Sequence, residues 1–162
     1  MELWDRTRRN HGLEHATIAL LIQRAPITGF LAGNATPAGF LVYGNIPTKQ
    51  VKECAAEALE RLRSGEEELA ISPFCGTNLV VGAALASMGA VAALQFSGRS
   101  PAGWARAFSN TLIGLVLSRP LGRLVQRRYT TSADVEGMTV TGVTRWSLGK
   151  LTVHKVSTAF SS

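Results

Sequence analysis

A chain of 162 residues, 46% hydrophobic and 17% charged, with a net charge of +6, is long enough for one domain or for a small domain joined to a membrane segment. Two cysteines, Cys54 and Cys75, are too few for a disulfide scaffold and fit reduced thiols in a cytosol-facing protein. The charge is uneven: Leu79 to Phe96 carries none, whereas Arg119, Arg123, Arg127 and Arg128 follow an apolar run, so the pI of about 10.0 reads as topogenic arginines beside a bilayer. Nucleic-acid binding ranks last, because the basic residues lack the aromatic interleaving of a single-strand groove.

The opening Met-Glu-Leu-Trp-Asp is polar, so no signal peptide is expected. Glu2 to Gln23 reads as a helix, stopped by Pro26. Within it, His11-Gly12-Leu13-Glu14-His15 sets two imidazoles and a carboxylate on one face, since positions 11, 14 and 15 lie within about a third of a turn at ~100° per residue. H-x-x-E-H is the inverted zinc-protease order, in which the histidines bind metal and the glutamate activates water. Ile27 to Ala32 and Gly39 to Gly44 suggest two strands joined through Gly33 to Pro37. Pro47 or Thr48 then opens a helix whose stripe is Val51, Ala55, Ala58, Leu59 and Leu62 and which Ser64-Gly65 closes; Cys54 beside that stripe is a core residue. Glu66 to Glu68 form a solvated connection and Leu69 to Ile71 a short strand.

Ser72-Pro-Phe-Cys75-Gly-Thr-Asn78 is turn-rich, with Thr77 or Asn78 available to cap the next helix and the Cys75 thiol on a bent backbone. Leu79 to Phe96, about 27 Å long at ~1.5 Å per residue, matches a thin hydrocarbon core. Gly82, Ala83, Ala86, Gly89, Ala90 and Ala93 offer a second helix a close-packing face. Trp104 to Leu117 is a second apolar stretch, extended by Leu121 to Val125 if Arg106 and Arg119 snorkel. The surplus of arginines outside this hairpin predicts both termini on the cytoplasmic side of the inner membrane. Met138 to Val140, Val143 to Trp146 and Leu151 to Val156 alternate like strands, and His154 is expected on a surface or edge. The expected fold is therefore α+β: an N-terminal domain over 1–78, a two-helix transmembrane hairpin over 79–128 and a β-rich tail over 129–162.

The order His11-Gly-Leu-Glu-His-Ala-Thr-Ile18, Gly39-Phe-Leu-Val-Tyr-Gly44, Arg61-Leu-Arg-Ser-Gly-Glu66 and Cys75-Gly-Thr-Asn78 resembles a family of small uncharacterised bacterial membrane proteins. More distantly it is similar to predicted metal-dependent membrane enzymes that pair H-G-x-E-H with H-P-x-C-G-T. The resemblance covers roughly Asn10 to Leu85 and implies a shared domain. Ser72 stands where those relatives carry histidine, which removes one potential ligand or base. Two readings follow. In the first, His11, His15 and Cys75 hold zinc, or ferrous iron, with a fourth position open and Glu14 moving the proton in an amide or ester hydrolysis at the membrane surface. In the second, the protein is a non-catalytic membrane scaffold that binds a partner complex or forms a homo-oligomer, with the histidines hydrogen-bonded and Glu14 paired to an arginine such as Arg8.

Overall fold

The computed structural model describes residues 2–24, 29–149 and 151–161, so the expected stop at Pro26 and the start of the first expected strand lie outside the described residues. Two compact units emerge, one from residues 1–72 together with 128–162 and one from 73–127.

In the first unit, helix α1 (Leu3–Arg24) is followed by strands β1 (Ala32–Thr36) and β2 (Gly39–Tyr43), helix α2 (Thr48–Arg63), a 3-10 turn at Glu67–Ala70, and strands β3 (Met138–Leu148) and β4 (Leu151–Phe160). The strands make one antiparallel sheet in the order β1-β2-β4-β3. The α+β class is as expected, but the C-terminal segment is no separate tail: β4 pairs with β2 and is an interior strand. The stretch read as a loop, Gly33 to Thr36, is β1 itself, because Pro37 and Ala38 alone make the turn to Gly39, which sits at φ 135°. Leu69 to Ile71 is no strand; the turn ending at Ala70 consumes it, and Ala70 is buried against α1. The three short C-terminal strands are two long ones, with an irregularity between Val140 and Gly142.

Helical periodicity gives α1 and α2 each one apolar face, and both pack on the sheet. Leu13, Ala16, Leu20 and Leu21 of α1 and Val51, Cys54, Ala55, Ala58 and Leu62 of α2 meet Phe40, Val42, Met138 and Val156 in one core. Cys54 is wholly buried there, as expected, and burial pushes its thiol pKa up. Polar ties fix α1 to the sheet: the buried Asn10 donates to the Thr36 carbonyl (2.8 Å) and accepts from Thr158 Oγ1 (2.7 Å). Arg6 and Arg9 each lie 5.2 Å from the centre of the Phe160 ring.

The second unit is a helical hairpin, α3 (Gly76–Ser97) and α4 (Pro101–Val125), continuing into a π-helical turn from Gln126. The small-residue face of α3 forms the seam: Gly82 lies against Ser118, Gly89 against the Asn110 backbone, and Gly114 of α4 against the backbone of Leu85. Asn110 Nδ2 donates across it to the Gly89 carbonyl at 3.3 Å. Among the described residues α3 is the single helix long and apolar enough to cross a membrane. The expected pair of spanning helices is thus corrected: α4 has 25 residues, but Arg106, Arg119 and Arg123 together with Ser109, Asn110 and Thr111 dilute its hydropathy.

Candidate metal centre

Helix α1 presents His11, Glu14 and His15 together. The two imidazole centroids are 4.4 Å apart, tilted by 59°, and a ring nitrogen of each lies within 4.8 Å of one on the other. Each ring is anchored by the same atom. His11 Nδ1 lies 2.8 Å from the carbonyl oxygen of Thr130, and His15 Nδ1 lies 2.8 Å from that of Ala70. A carbonyl oxygen only accepts, so both Nδ1 atoms carry hydrogen and the lone pair of each neutral ring is on Nε2. This is the arrangement by which metal-binding histidines are oriented from outside the ligand shell. Neither anchor was foreseeable: Ala70 comes from the turn after α2 and Thr130 from the segment that enters β3, 55 and 119 positions away from their histidines.

Glu14 is buried between these rings and β1, with Gly33 packed against its carboxyl group, where any side chain would collide. Its Oε2 has no hydrogen-bond partner among the described residues. Burial raises the Glu14 pKa to about 7, and the charge of His11 when protonated pulls it part of the way back. The expected ion pair with Arg8 does not form; Arg8 Nη2 instead donates to the carbonyls of Arg128 (3.3 Å) and Thr131 (3.1 Å).

Cys75 belongs to the hairpin. It is the N-cap of α3, its Sγ accepting the Thr77 N–H at 3.4 Å, so it takes the capping role expected of Thr77 or Asn78. Asn78 is engaged elsewhere, donating to the Pro73 carbonyl (2.9 Å) and accepting from Gln126 Nε2 (2.8 Å). Neither cysteine is in a disulfide.

His154 contradicts the expectation of a surface position. It is wholly buried, with Nε2 3.2 Å from Thr48 Oγ1 at the start of α2, because β4 is interior and its even-numbered residues face the helices with Val156. Burial, and next the charge of Arg145 across the ladder, lower its pKa, which favours the neutral ring. Strand alternation in Leu151 to Val156 already grouped His154 with Val156; the missing fact was that a second strand lies on each side.

Together these features define an α+β domain with an outward-anchored imidazole pair beside a buried carboxyl, on a chain that also carries an apolar helical hairpin. Residues 6–143 match the domain of unknown function DUF6391, and the chain belongs to that family. An uncharacterised protein of Picosynechococcus is 38% identical over an alignment of 82 residues that covers 46% of this chain and 40% of that relative. The chain therefore spans well under two thirds of the relative it matches. No solved structure matches it.

Proposed function

We propose that this chain is a membrane-attached metal protein in which His11 and His15 bind zinc, or ferrous iron, through Nε2, with the Cys75 thiolate as third ligand. The observation that carries the reading is the matched pair of Nδ1–H bonds to the Thr130 and Ala70 carbonyls, which set both rings with their lone pairs on the far nitrogen. Imidazole and thiolate donors suit these cations better than magnesium, and three protein ligands leave a position for water or substrate.

Bound there, the cation would polarise a water or a carbonyl oxygen. Glu14 supplies the proton handling. Its carboxyl, buried beside the imidazole pair, would take a proton from an attacking water and return it to a leaving group. Hydrolysis of an amide or ester is the reaction class these groups fit. Attachment to the inner membrane would come from the hairpin through α3, the helix long and apolar enough to enter the hydrocarbon. Leu79, Val80, Met88 and Phe96 of α3 and Phe108 and Val116 of α4, each more than 60% exposed, support this placement.

The same exposed side chains also support a non-catalytic scaffold, in which a partner complex or a second copy covers the hairpin and no cation binds. Elemental analysis of the detergent-purified full chain separates the two. The metal reading expects close to one zinc or iron per chain, and most of it lost in His15→Ala and in Cys75→Ser. Metal-free wild type, or His15→Ala with unchanged content, leaves the scaffold.

A further inference from the structure

The hairpin contains Arg99, Arg106, Arg119, Arg123 and Arg127 and no lysine or acidic residue, so five of the six net positive charges reside in it. All five arginines are exposed. They are segregated to its ends. Arg99 lies in the connection between the helices and Arg106 near the start of α4, donating to Ser97 Oγ at 2.8 Å. Arg119 and Arg123 lie in the last two turns of α4, and Arg127 in the π turn that continues it. Between Arg106 and Arg119 the helix runs about 20 Å, at ~1.5 Å per residue, without a charge. The spacing of four from Arg119 to Arg123 to Arg127 sets the three residues along one stripe of the helix, about 12 Å long at ~1.5 Å per residue, with the exposed Leu121 and Leu124 beside them.

An apolar middle with a basic stripe at one end is complementary to hydrocarbon bordered by phosphate. We infer that the stripe formed by Arg119, Arg123 and Arg127 recognises acidic phospholipid headgroups, which makes membrane association depend on anionic lipid. The inference rests on the membrane reading of the hairpin and adds the partner's chemistry to it. Guanidinium suits the site because its planar fork matches phosphate oxygens in pairs, while its aliphatic stem lies along the hydrocarbon border. Each arginine near an acidic surface raises partitioning about fivefold, so three contribute on the order of 100-fold at moderate salt. A neutral surface offers no such gain.

Vesicle sedimentation after dilution of the full chain from detergent tests this, using vesicles of phosphatidylcholine alone and of phosphatidylcholine with phosphatidylglycerol. Wild type should partition on the order of 100-fold more strongly into the acidic vesicles, and added salt should shrink the difference. The triple variant Arg119→Gln, Arg123→Gln, Arg127→Gln should bind both vesicles at the neutral level, whereas the corresponding triple lysine variant should keep most of the preference. Equal wild-type binding to both vesicles overturns the inference while leaving the membrane reading intact. Absence of binding to either overturns both. Release from acidic vesicles by an equal charge of duplex DNA would show an unselective polyanion surface and overturn the inference as well.

Discussion

Glu14 is buried beside the imidazole pair, and its environment has a measurable consequence for stability. In the metal-free protein the folded carboxyl titrates near 7 rather than at its ordinary 4.5. A raised folded pKa means that the folded state holds the proton more tightly, so this stabilisation is complete below pH 4.5 and is lost as pH rises through 7. The shift corresponds to about 3 kcal/mol across that window. Glu14→Gln, neutral at every pH, should flatten that component, so denaturant unfolding in chelator should show the variant gaining on wild type by up to about 3 kcal/mol between pH 4.5 and pH 8. A constant difference between the two proteins across this range would contradict the assignment. The convergence of His11, Glu14 and His15 was legible from spacing alone, because it depends only on helical geometry. What held each ring was not, since backbone carbonyls carry no sequence signature.

Gly12 shows how one element fixes the site built on another. A helix-interior glycine is costly by about 1 kcal/mol relative to alanine, yet a Cβ here would run into the Ser132 carbonyl. The segment carrying Thr130 to Ser132 thus lies directly on α1, where the Ser132 N–H also donates to the Arg8 carbonyl at 3.0 Å and Arg9 Nε to the Asp134 carbonyl at 2.7 Å. Gly12→Ala should destabilise the protein by about 1–3 kcal/mol through overpacking, despite its better helix propensity. It should also loosen the Thr130 anchor on His11. Thermal melting together with metal content checks this; a variant that melts higher and binds as wild type would show that the close approach is dispensable. Gly12, between His11 and Glu14, therefore meets a packing requirement. Helix α2 was readable nearly to its ends because apolar stripe, proline start and glycine stop agreed. Strand β1 was misplaced because its Ala-Gly-Asn-Ala-Thr sequence has weak strand propensity and owes its state to pairing with β2.

At the scale of the whole molecule, the chain leaves the α+β unit after Ser72, forms the hairpin, and resumes the same unit at Arg128. The β-rich ending could be read as strands, but its partner strand β2 lies more than 100 positions earlier, and periodicity holds no information about such pairing. The same pairing buries His154, against the rule that an isolated ionisable group faces solvent. The hairpin itself was legible, as a composition change reports it directly, while the failure of α4 to qualify as a span follows from arginines already visible in its sequence. The metal proposal is that His11, His15 and the Cys75 thiolate are ligands of one cation. X-ray absorption at the metal edge of the zinc-loaded full chain measures this most directly. One sulfur neighbour at about 2.3 Å is expected with nitrogen or oxygen neighbours at about 2.0–2.1 Å, the sulfur component vanishing in Cys75→Ser. A shell of nitrogen and oxygen alone in wild type, or no stoichiometric zinc to measure, would contradict it.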